Sequence, residues 1–480
     1  MKINLVSLYI ALIVKMVSPA RILAIFPFSA RSHFNMYEAL LDELHARGHH
    51  LTVISHFPKK NATARYRDIS LVGEVKSLNA NMSLSDMNNF GLYDNLKLLN
   101  EQIDDYVPIF EVPEVNDLIN SNESFDLILT EIFNSDVFLG FVHKFRCPYI
   151  SISPCPLMPW AYHRIGLPIR PSVKPIVFSD RSYPMSLLDI SRNTLDWIFA
   201  LCYYKYVMNP KSEKIARKYF GDIPPLEELA SRVSLILTNT HSSLHPSMTL
   251  SNRLIEVGGI HIKPAKPLES SLEQFLNDSE KGVIVFSMGS MFRAETLPKE
   301  IFDMFLRTFS NLKQNVLWKW ESGTTPNITN IRFMKWLPQR DVLAHRNVKL
   351  FIYHGGLLGT SEAIYCGVPI LGLPQFGDMG HNIASIGEAG MAMSLKDLTE
   401  TSLTEAITTM IEDPKYKERA LELSELYRDR PEDPLTRAAY WVEYVIRHKG
   451  TKHFVQSLPL LEELVIIPTI IIVILILIFC

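Results

Sequence analysis

One stretch, between residues 349 and 373, constrains the fold of this chain more than any other. The run Lys349–Tyr353 is short and apolar, as expected of a buried strand, and His354-Gly355-Gly356 follows it directly. Leu357–Cys366 is rich in helix-forming residues and ends before Gly367, a typical helix C-cap. Val368–Leu373 is a second apolar run. Strand, glycine turn, helix and strand in this order predict a parallel βαβ unit and therefore an α/β fold.

The turn between the first strand and the helix has the chemistry of an anion site. Two adjacent glycines let a backbone approach a ligand closely, and the amides of a helix N-terminus attract phosphate. Glu362 lies further along the same helix, where a carboxylate can accept hydrogen bonds from ribose hydroxyls. On spacing alone, an ordinary parallel αβ repeat without a ligand stays an alternative.

The segment Phe351–Asn382 closely resembles the signature of the family one UDP-glycosyltransferases, the membrane-bound glucosyl- and glucuronosyltransferases of animals, and among these the insect members. The resemblance runs over most of the chain. It implies an α/β fold of the GT-B type, in which two doubly wound Rossmann-like domains face each other across a cleft, plus one C-terminal transmembrane helix. In such a protein the first domain binds the acceptor and the second binds a UDP-sugar.

The resemblance assigns a set of residues in the C-terminal half to the UDP-sugar. Trp336 would stack on the uracil ring, and Gln339 would address the base edge or the ribose. Asp378 would bind sugar hydroxyls. Family members usually have Gln after this Asp, whereas this chain has Met379, which cannot form strong hydrogen bonds. The whole set is Ser290, Trp336, Gln339, His354, Gly355, Gly356, Gly359, Glu362, Asp378 and Asn382.

The N-terminal half carries the predicted general base. Arg21–Phe26 is a strand candidate, a helix opens at His33, and His49–Ser55 is the next strand, so this region predicts another βαβ unit. His33 therefore lies at the edge of the sheet where ligands bind, and Ser32-His33-Phe34 matches the family segment that carries the base. An imidazole, with an ordinary pKa of about 6.5, can take the proton of an acceptor hydroxyl.

A carboxylate on the other ring nitrogen would fix the tautomer of this base. Glu131 stands at the end of the predicted strand Phe125–Thr130, where most of the family has Asp, and is the favoured partner. Asp136 follows shortly after it and stays an alternative, because the longer Glu side chain must fold back to reach the same point. A helix N-cap is an equally good interpretation of Asp136.

Both ends of the chain predict a secreted and membrane-anchored protein. Residues 1–20 combine Lys2, an apolar run and Ser18-Pro19-Ala20, which is a signal-peptide pattern, with a first core strand as the alternative. Residues 464–480 carry no charge and predict a transmembrane helix, with a buried core helix as the alternative. With the resemblance, these ends imply a single-pass type I protein of the endoplasmic reticulum membrane with lumenal catalytic domains. Five sequons fit a lumenal body: Asn61, Asn81, Asn122, Asn277 and Asn327.

Length and charge set further bounds. A chain of 480 residues predicts two or three domains, which we expect as an acceptor domain over 21–239, a linker over 240–267 and a UDP-sugar-binding domain over 268–450. The last predicted helix, Arg430–Arg447, would fold back across the first domain, as the resemblance implies. A formal charge of −3 offers no basic field for nucleic acid. No Asp-x-Asp motif occurs, so we expect no catalytic metal and no cofactor besides the UDP-sugar co-substrate.

These features predict the inverting transfer of a hexose from a UDP-sugar to a hydroxyl of a small lipophilic acceptor, as in detoxifying conjugation. We expect UDP-glucose, because residues 374–382 contain no Arg or Lys and Asp378 would repel the carboxylate of UDP-glucuronate. The other expected partner is the membrane, and homo-oligomers are left open. Two other classes also stay open. An epimerase of UDP-sugars would need no signal peptide and no anchor, and Met379 with Glu131 suggests a catalytically silent UDP-sugar-binding membrane protein.

Overall fold

The computed structural model describes residues 19–75, 90–244, 251–289, 296–321, 325–395 and 397–451. Residues 1–18 of the predicted signal peptide and the whole predicted transmembrane helix 464–480 lie outside the described residues. Within the ranges that are described, no helix is both long enough and apolar enough to cross a bilayer.

The first sheet has seven parallel strands in the order β3-β2-β1-β4-β5-β6-β7. In β1 and β2 every residue after the first is buried, which is typical of parallel strands covered by helices on both faces. The strands are β1 (Arg21–Phe26), β2 (His50–Ser55), β3 (Tyr66–Ser70), β4 (Leu127–Glu131), β5 (Tyr149–Ser153), β6 (Leu235–Thr238) and β7 (Leu254–Glu256).

The second sheet has six parallel strands in the order β10-β9-β8-β11-β12-β13. Its central strand β11 contains the apolar run predicted from the sequence, with one exposed residue, Lys349. The strands are β8 (Val283–Ser287), β9 (Asn315–Lys319), β10 (Ile331–Met334), β11 (Val348–Tyr353), β12 (Ile370–Gly372) and β13 (Ala392–Ser394).

Helices cover both faces of each sheet, and separate apolar clusters fill the space on either side of each. The helices up to β7 are α1 (Arg31–Ala46), α2 (Leu92–Glu101), α3 (Pro113–Asn120), α4 (Leu139–Phe145), α5 (Leu187–Tyr203), α6 (Asn209–Phe220) and α7 (Leu226–Ser231). The later helices are α8 (Ser270–Asn277), α9 (Lys299–Ser310), α10 (Gln339–Leu343), α11 (Leu357–Tyr365), α12 (Met379–Glu388), α13 (Glu400–Glu412), α14 (Pro414–Arg428) and α15 (Pro434–His448).

Each sheet reverses its strand order at one point, and these points determine where ligands can bind. The reversal falls between β1 and β4 in the first sheet and between β8 and β11 in the second. Loops leave such a point in opposite directions and open a crevice at the carboxyl ends of the strands. The two doubly wound domains predicted from the sequence are therefore confirmed, and each has one crevice.

Two segments within the predicted linker and the predicted second domain pack with the first domain. The predicted linker 240–267 contains β7, which pairs with β6 as the last strand of the first sheet. The predicted second domain, 268–450, ends in α15, whose buried residues Ala438, Val442 and Val445 join the apolar cluster of the first domain. Helix α15 packs against α1, so the chain crosses back to the first domain, as the resemblance implies.

Candidate active site

The candidate active site lies between the two sheets, at the carboxyl ends of strands that flank the two crevices. One cavity there is lined by His33 and Cys155 of the first domain and by His354 and Asp378 of the second. Residues from both domains thus meet at a single point, which is the arrangement needed to bring two substrates together.

A carboxylate holds His33 in place. His33 lies in the first turn of α1, directly after β1, and its Nδ1 is 2.8 Å from Oε1 of Glu131, the last residue of β4. The two side chains are 14% and 7% exposed. Strands β1 and β4 are neighbours, so their carboxyl ends bring the two residues together. When Nδ1–H donates this hydrogen bond to Glu131, Nε2 of His33 is the nitrogen that can accept a proton.

Asp136 does not contact His33, which corrects its selection as a catalytic candidate. Arg164 donates from Nη1 to Oδ1 of Asp136 over 2.9 Å and from Nη2 to Oδ2 over 2.6 Å. The hydroxyl of Tyr204 donates to the same carboxylate. All three residues are buried, so the carboxylate neutralises an otherwise isolated guanidinium charge. Asp136 is therefore part of the support of the first domain.

Aromatic rings surround the imidazole of His33. The rings of Phe28 and Phe133 lie with their centroids 5.0 and 5.1 Å from it, and the contact with Phe133 is edge-on. Trp160 donates from its indole nitrogen to the carbonyl of Phe133 over 3.0 Å, which fixes that residue. These rings limit the motion of the imidazole and create an apolar wall beside it, suited to a lipophilic acceptor.

A second cavity of ≈ 240 Å³ shares Ser32 and Tyr353 with the first. Several residues predicted for the UDP-sugar line it: Trp336, Gln339, Gly359 and Glu362. The indole of Trp336 is 66% exposed, so one face of this large ring is available for stacking. A Cβ at Gly359 would lie 2.5 Å from the ring of Tyr353, so only glycine lets α11 pack this closely on β11.

Glu362 has the polar contacts expected of a ribose-binding carboxylate. Nε2 of Gln339 donates to Oε2 of Glu362 over 2.7 Å. Burial raises the pKa of Glu362 to about 7, against the opposing effect of this hydrogen bond. Its charge is therefore costly to keep, and hydroxyl donors from a ligand would stabilise it.

The glycine turn after β11, Gly355-Gly356, packs closely against His354. Gly355 has a φ of 93°, in the left-handed region that favours glycine, and α11 begins at Leu357, so the first N–H groups of that helix are close by. Burial, together with the charge of Lys319, lowers the pKa of His354 to about 3. His354 is therefore neutral at pH 7 and can contribute a hydrogen bond but no charge.

Asp378 and Asn382 form one unit at the start of α12. Nδ2 of Asn382 donates to Oδ2 of Asp378 over 2.9 Å and to the carbonyl of Gly355 over 3.0 Å. Asn382 is 1% exposed, so it positions Asp378 and the glycine turn from within the domain. Burial raises the pKa of Asp378, while the bond from Asn382 and the nearby His33 oppose that change. Met379 lines the same cavity.

Ser290 lies outside the described residues. Among the described residues, no three His, Cys, Asp or Glu side chains are grouped so that they could hold a metal ion.

Comparison with known proteins decides the family. Residues 118–461 match the family model described as "UDP-glucoronosyl and UDP-glucosyl transferase". The chain belongs to this family. It is therefore a glycosyltransferase that uses a UDP-sugar as donor, as the sequence predicted.

Two relatives from Dactylopius coccus are similar to almost the whole of this UDP-glycosyltransferase. "UDP-glycosyltransferase UGT5" is 41% identical over 90% of this chain and 84% of its own length. "UDP-glucosyltransferase 2" is 38% identical over 90% of this chain and 85% of its own length. A solved structure titled "Crystal Structure Analysis of the Glycotransferase of kitacinnamycin" superposes with a TM-score of 0.59 at 18% identity, covering 89% of this chain and 98% of that chain. This likeness supports the GT-B fold.

One cation at the site of this UDP-glycosyltransferase, Lys319, was not predicted from the sequence. Lys319 is the last residue of β9, lines the cavity of Trp336 and Glu362, and is 8% exposed. Its Nζ donates to the carbonyl of Gly289 over 2.9 Å, and it forms an ion pair with Glu321. The sequence could have indicated Lys319, because a charged residue at the end of an apolar strand lies at the carboxyl edge of the sheet, where ligands bind.

Proposed function

We propose that this protein transfers glucose from UDP-glucose to a hydroxyl group of a small lipophilic acceptor, with inversion at the anomeric carbon. The observation that carries the proposal is the hydrogen-bonded pair of His33 and Glu131, because His33 lines the same cavity as Asp378. A base supported by a carboxylate is what an acceptor hydroxyl needs, and a half-buried carboxylate opposite it suits the hydroxyls of a neutral hexose.

In the proposed reaction His33 acts as general base. Glu131 accepts the hydrogen bond from Nδ1 and stabilises the imidazolium that forms when Nε2 takes the proton of the acceptor. The acceptor oxygen then forms a bond to the anomeric carbon while the bond from that carbon to the β-phosphate oxygen breaks. UDP leaves with the electron pair. Attack from the side opposite the leaving group inverts the configuration.

The leaving diphosphate needs positive charge and hydrogen-bond donors. Lys319 is the cation we assign to it, and the amides that follow Gly355 supply donors at the N-terminus of α11. Neutral His354 keeps one ring N–H, which can donate a hydrogen bond to the same phosphate. Trp336 and Glu362 would bind the uracil ring and the ribose.

The preference for UDP-glucose rests on charge. His381 is the only residue between 374 and 382 that can be cationic, and burial, with the charge of Lys174 nearby, lowers its pKa to about 3. A sugar carboxylate would then face Asp378 without a cation on that loop. Met379 lines the cavity and cannot form strong hydrogen bonds with the sugar, so we expect UDP-galactose as the nearest competitor.

We also propose that the protein works in the lumen of the endoplasmic reticulum and is anchored by residues 464–480. All four sequon asparagines in the described ranges are exposed, which supports a lumenal body: Asn61, Asn122, Asn277 and Asn327.

The test is turnover of UDP-glucose with a panel of phenols. His33→Ala should abolish transfer while UDP affinity stays within about threefold, since His33 does not line the cavity of Trp336 and Glu362. A more acidic phenol should lose less, because it needs less help from a base. His50→Ala, at an exposed position of β2, is the matched control. A His33→Ala enzyme that keeps most of its turnover would refute the assignment of the base.

A further inference from the structure

A hydrogen bond connects the first domain to the loop that carries Asp378. The N–H of Gly377 donates to Oδ1 of Asn95 over 2.7 Å, which joins α2 of the first domain to the loop before α12. Asn95 is 3% exposed, and the rings of Phe90 and Phe376 meet beside it with centroids 6.4 Å apart. This contact links the acceptor half of the protein to the residue next to Asp378.

The side chain of Asn95 is oriented for this bond from within its own domain. Nδ2 of Asn95 donates to the carbonyl of Gly91 over 2.9 Å, at the start of α2. That bond directs the amide nitrogen towards its own helix and leaves Oδ1 to accept from Gly377. The acceptor oxygen is therefore fixed before the second domain meets it.

Hydrogen bonding rather than packing holds Gly377. Within the described chain, a Cβ built on Gly377 would meet no atom within 4 Å. Its φ of 65° is left-handed, so this turn is specific to glycine. Asp378, the next residue, is held on its other side by Asn382 at 2.9 Å. The position of Asp378 thus depends on one contact from each domain.

We propose that Asn95 is a positioning residue that couples the acceptor domain to recognition of the donor sugar. The inference rests on the proposed function, in which Asp378 binds the sugar. When the domains are together, Asn95 fixes Gly377 and so aligns Asp378 with the sugar hydroxyls. When they are apart, the second domain still offers Trp336 and Glu362 to UDP, but the sugar contact loses its alignment. The contact therefore favours binding of the sugar only when the acceptor half is closed over it.

The experiment compares binding of UDP and of UDP-glucose to the full-length chain by calorimetry. Asn95→Ala and Asn95→Leu should each weaken the binding of UDP-glucose about tenfold, which is the effect of one lost hydrogen bond. The affinity for UDP should stay within about twofold of the wild type. The KM for UDP-glucose should rise with it. Asn116→Ala is the matched control, because Asn116 is exposed on α3 and its side chain accepts only a local bond from Asn120.

Each other outcome overturns the inference. Equal weakening of UDP and UDP-glucose would mean that Asn95 acts on the fold as a whole. A Leu variant that binds like the wild type, beside a weakened Ala variant, would assign the effect to packing and not to the oxygen. Unchanged binding in both variants would leave the proposed function intact and remove the role of Asn95. A wild-type chain that binds neither nucleotide would overturn the proposed function itself.

Discussion

Replacing Glu131 by Gln should show how much the carboxylate contributes to the activity of His33 as a base. The change keeps the size of the side chain and removes its charge at a point 2.8 Å from Nδ1 of His33. The new amide can also present a donor to Nδ1 and so favour the wrong tautomer of the imidazole. Binding of the nucleotide should not change, since Glu131 does not line the cavity of Trp336 and Glu362.

The magnitude follows from the kind of bond that is lost. A hydrogen bond to a charged group contributes about 1.5–3 kcal/mol, and the 7% exposure of Glu131 places it among the better shielded examples. Since about 1.4 kcal/mol is a tenfold change in rate, kcat should fall by roughly 10- to 150-fold. The KM for UDP-glucose should stay within about twofold.

Asp136→Asn provides the contrast, because the two carboxylates have different partners. Asp136 pairs with Arg164, and their side chains are 8% and 4% exposed. Breaking a buried ion pair on one side costs about 3–5 kcal/mol, so this variant should unfold at a clearly lower temperature. Its kcat, measured on the folded fraction, should fall less than that of Glu131→Gln.

Initial rates at saturating UDP-glucose and thermal unfolding of both variants make the test. The reasoning would be refuted if Glu131→Gln lost less than about threefold in kcat. It would also be refuted if Asp136→Asn kept its stability and lost the larger factor in kcat, because that result would transfer the orienting role to Asp136.

The affinity for UDP-glucose should rise by about tenfold between pH 6 and pH 8, because the pKa of Glu362 is raised to about 7 and only the ionised carboxylate accepts from both ribose hydroxyls. Calorimetry of Glu362→Gln should show no such pH dependence. Gly359→Ala should lower the free energy of unfolding by about 1–3 kcal/mol and weaken the binding of UDP, because its Cβ would lie 2.5 Å from Tyr353. Gly387→Ala, whose Cβ would meet one atom at 3.6 Å, is the control in thermal unfolding. Met379→Gln should change the ratio of glucose to galactose transfer by about tenfold in competition kinetics, the effect of one good hydrogen bond, and preferred use of UDP-glucuronate would contradict the charge argument. Truncation before Leu464 should release the protein from membranes, and full-length protein in the soluble lumenal fraction would contradict the predicted anchor.

Local patterns in the sequence determined the elements and the edge at which ligands bind. The apolar run of β11, the glycine turn after it and the good helix formers of α11 are each visible within a few residues, because burial on both faces and the φ of Gly355 act on neighbours in the chain. Glu131 was favoured as the partner of His33 from its position in the family motif, and the pairing of β1 with β4 brings the two residues together.

Only the tertiary structure decided which groups are partners over long distances. Asp136 was left open by the sequence because Arg164, which occupies its oxygens, lies 28 positions further along the chain, beyond α4 and β5. The place of β7 and the contact of Asn95 with Gly377, 282 positions apart, have the same origin. An apolar stripe or an amide specifies what kind of partner it needs, whereas the packing of the whole chain determines which partner lies within reach.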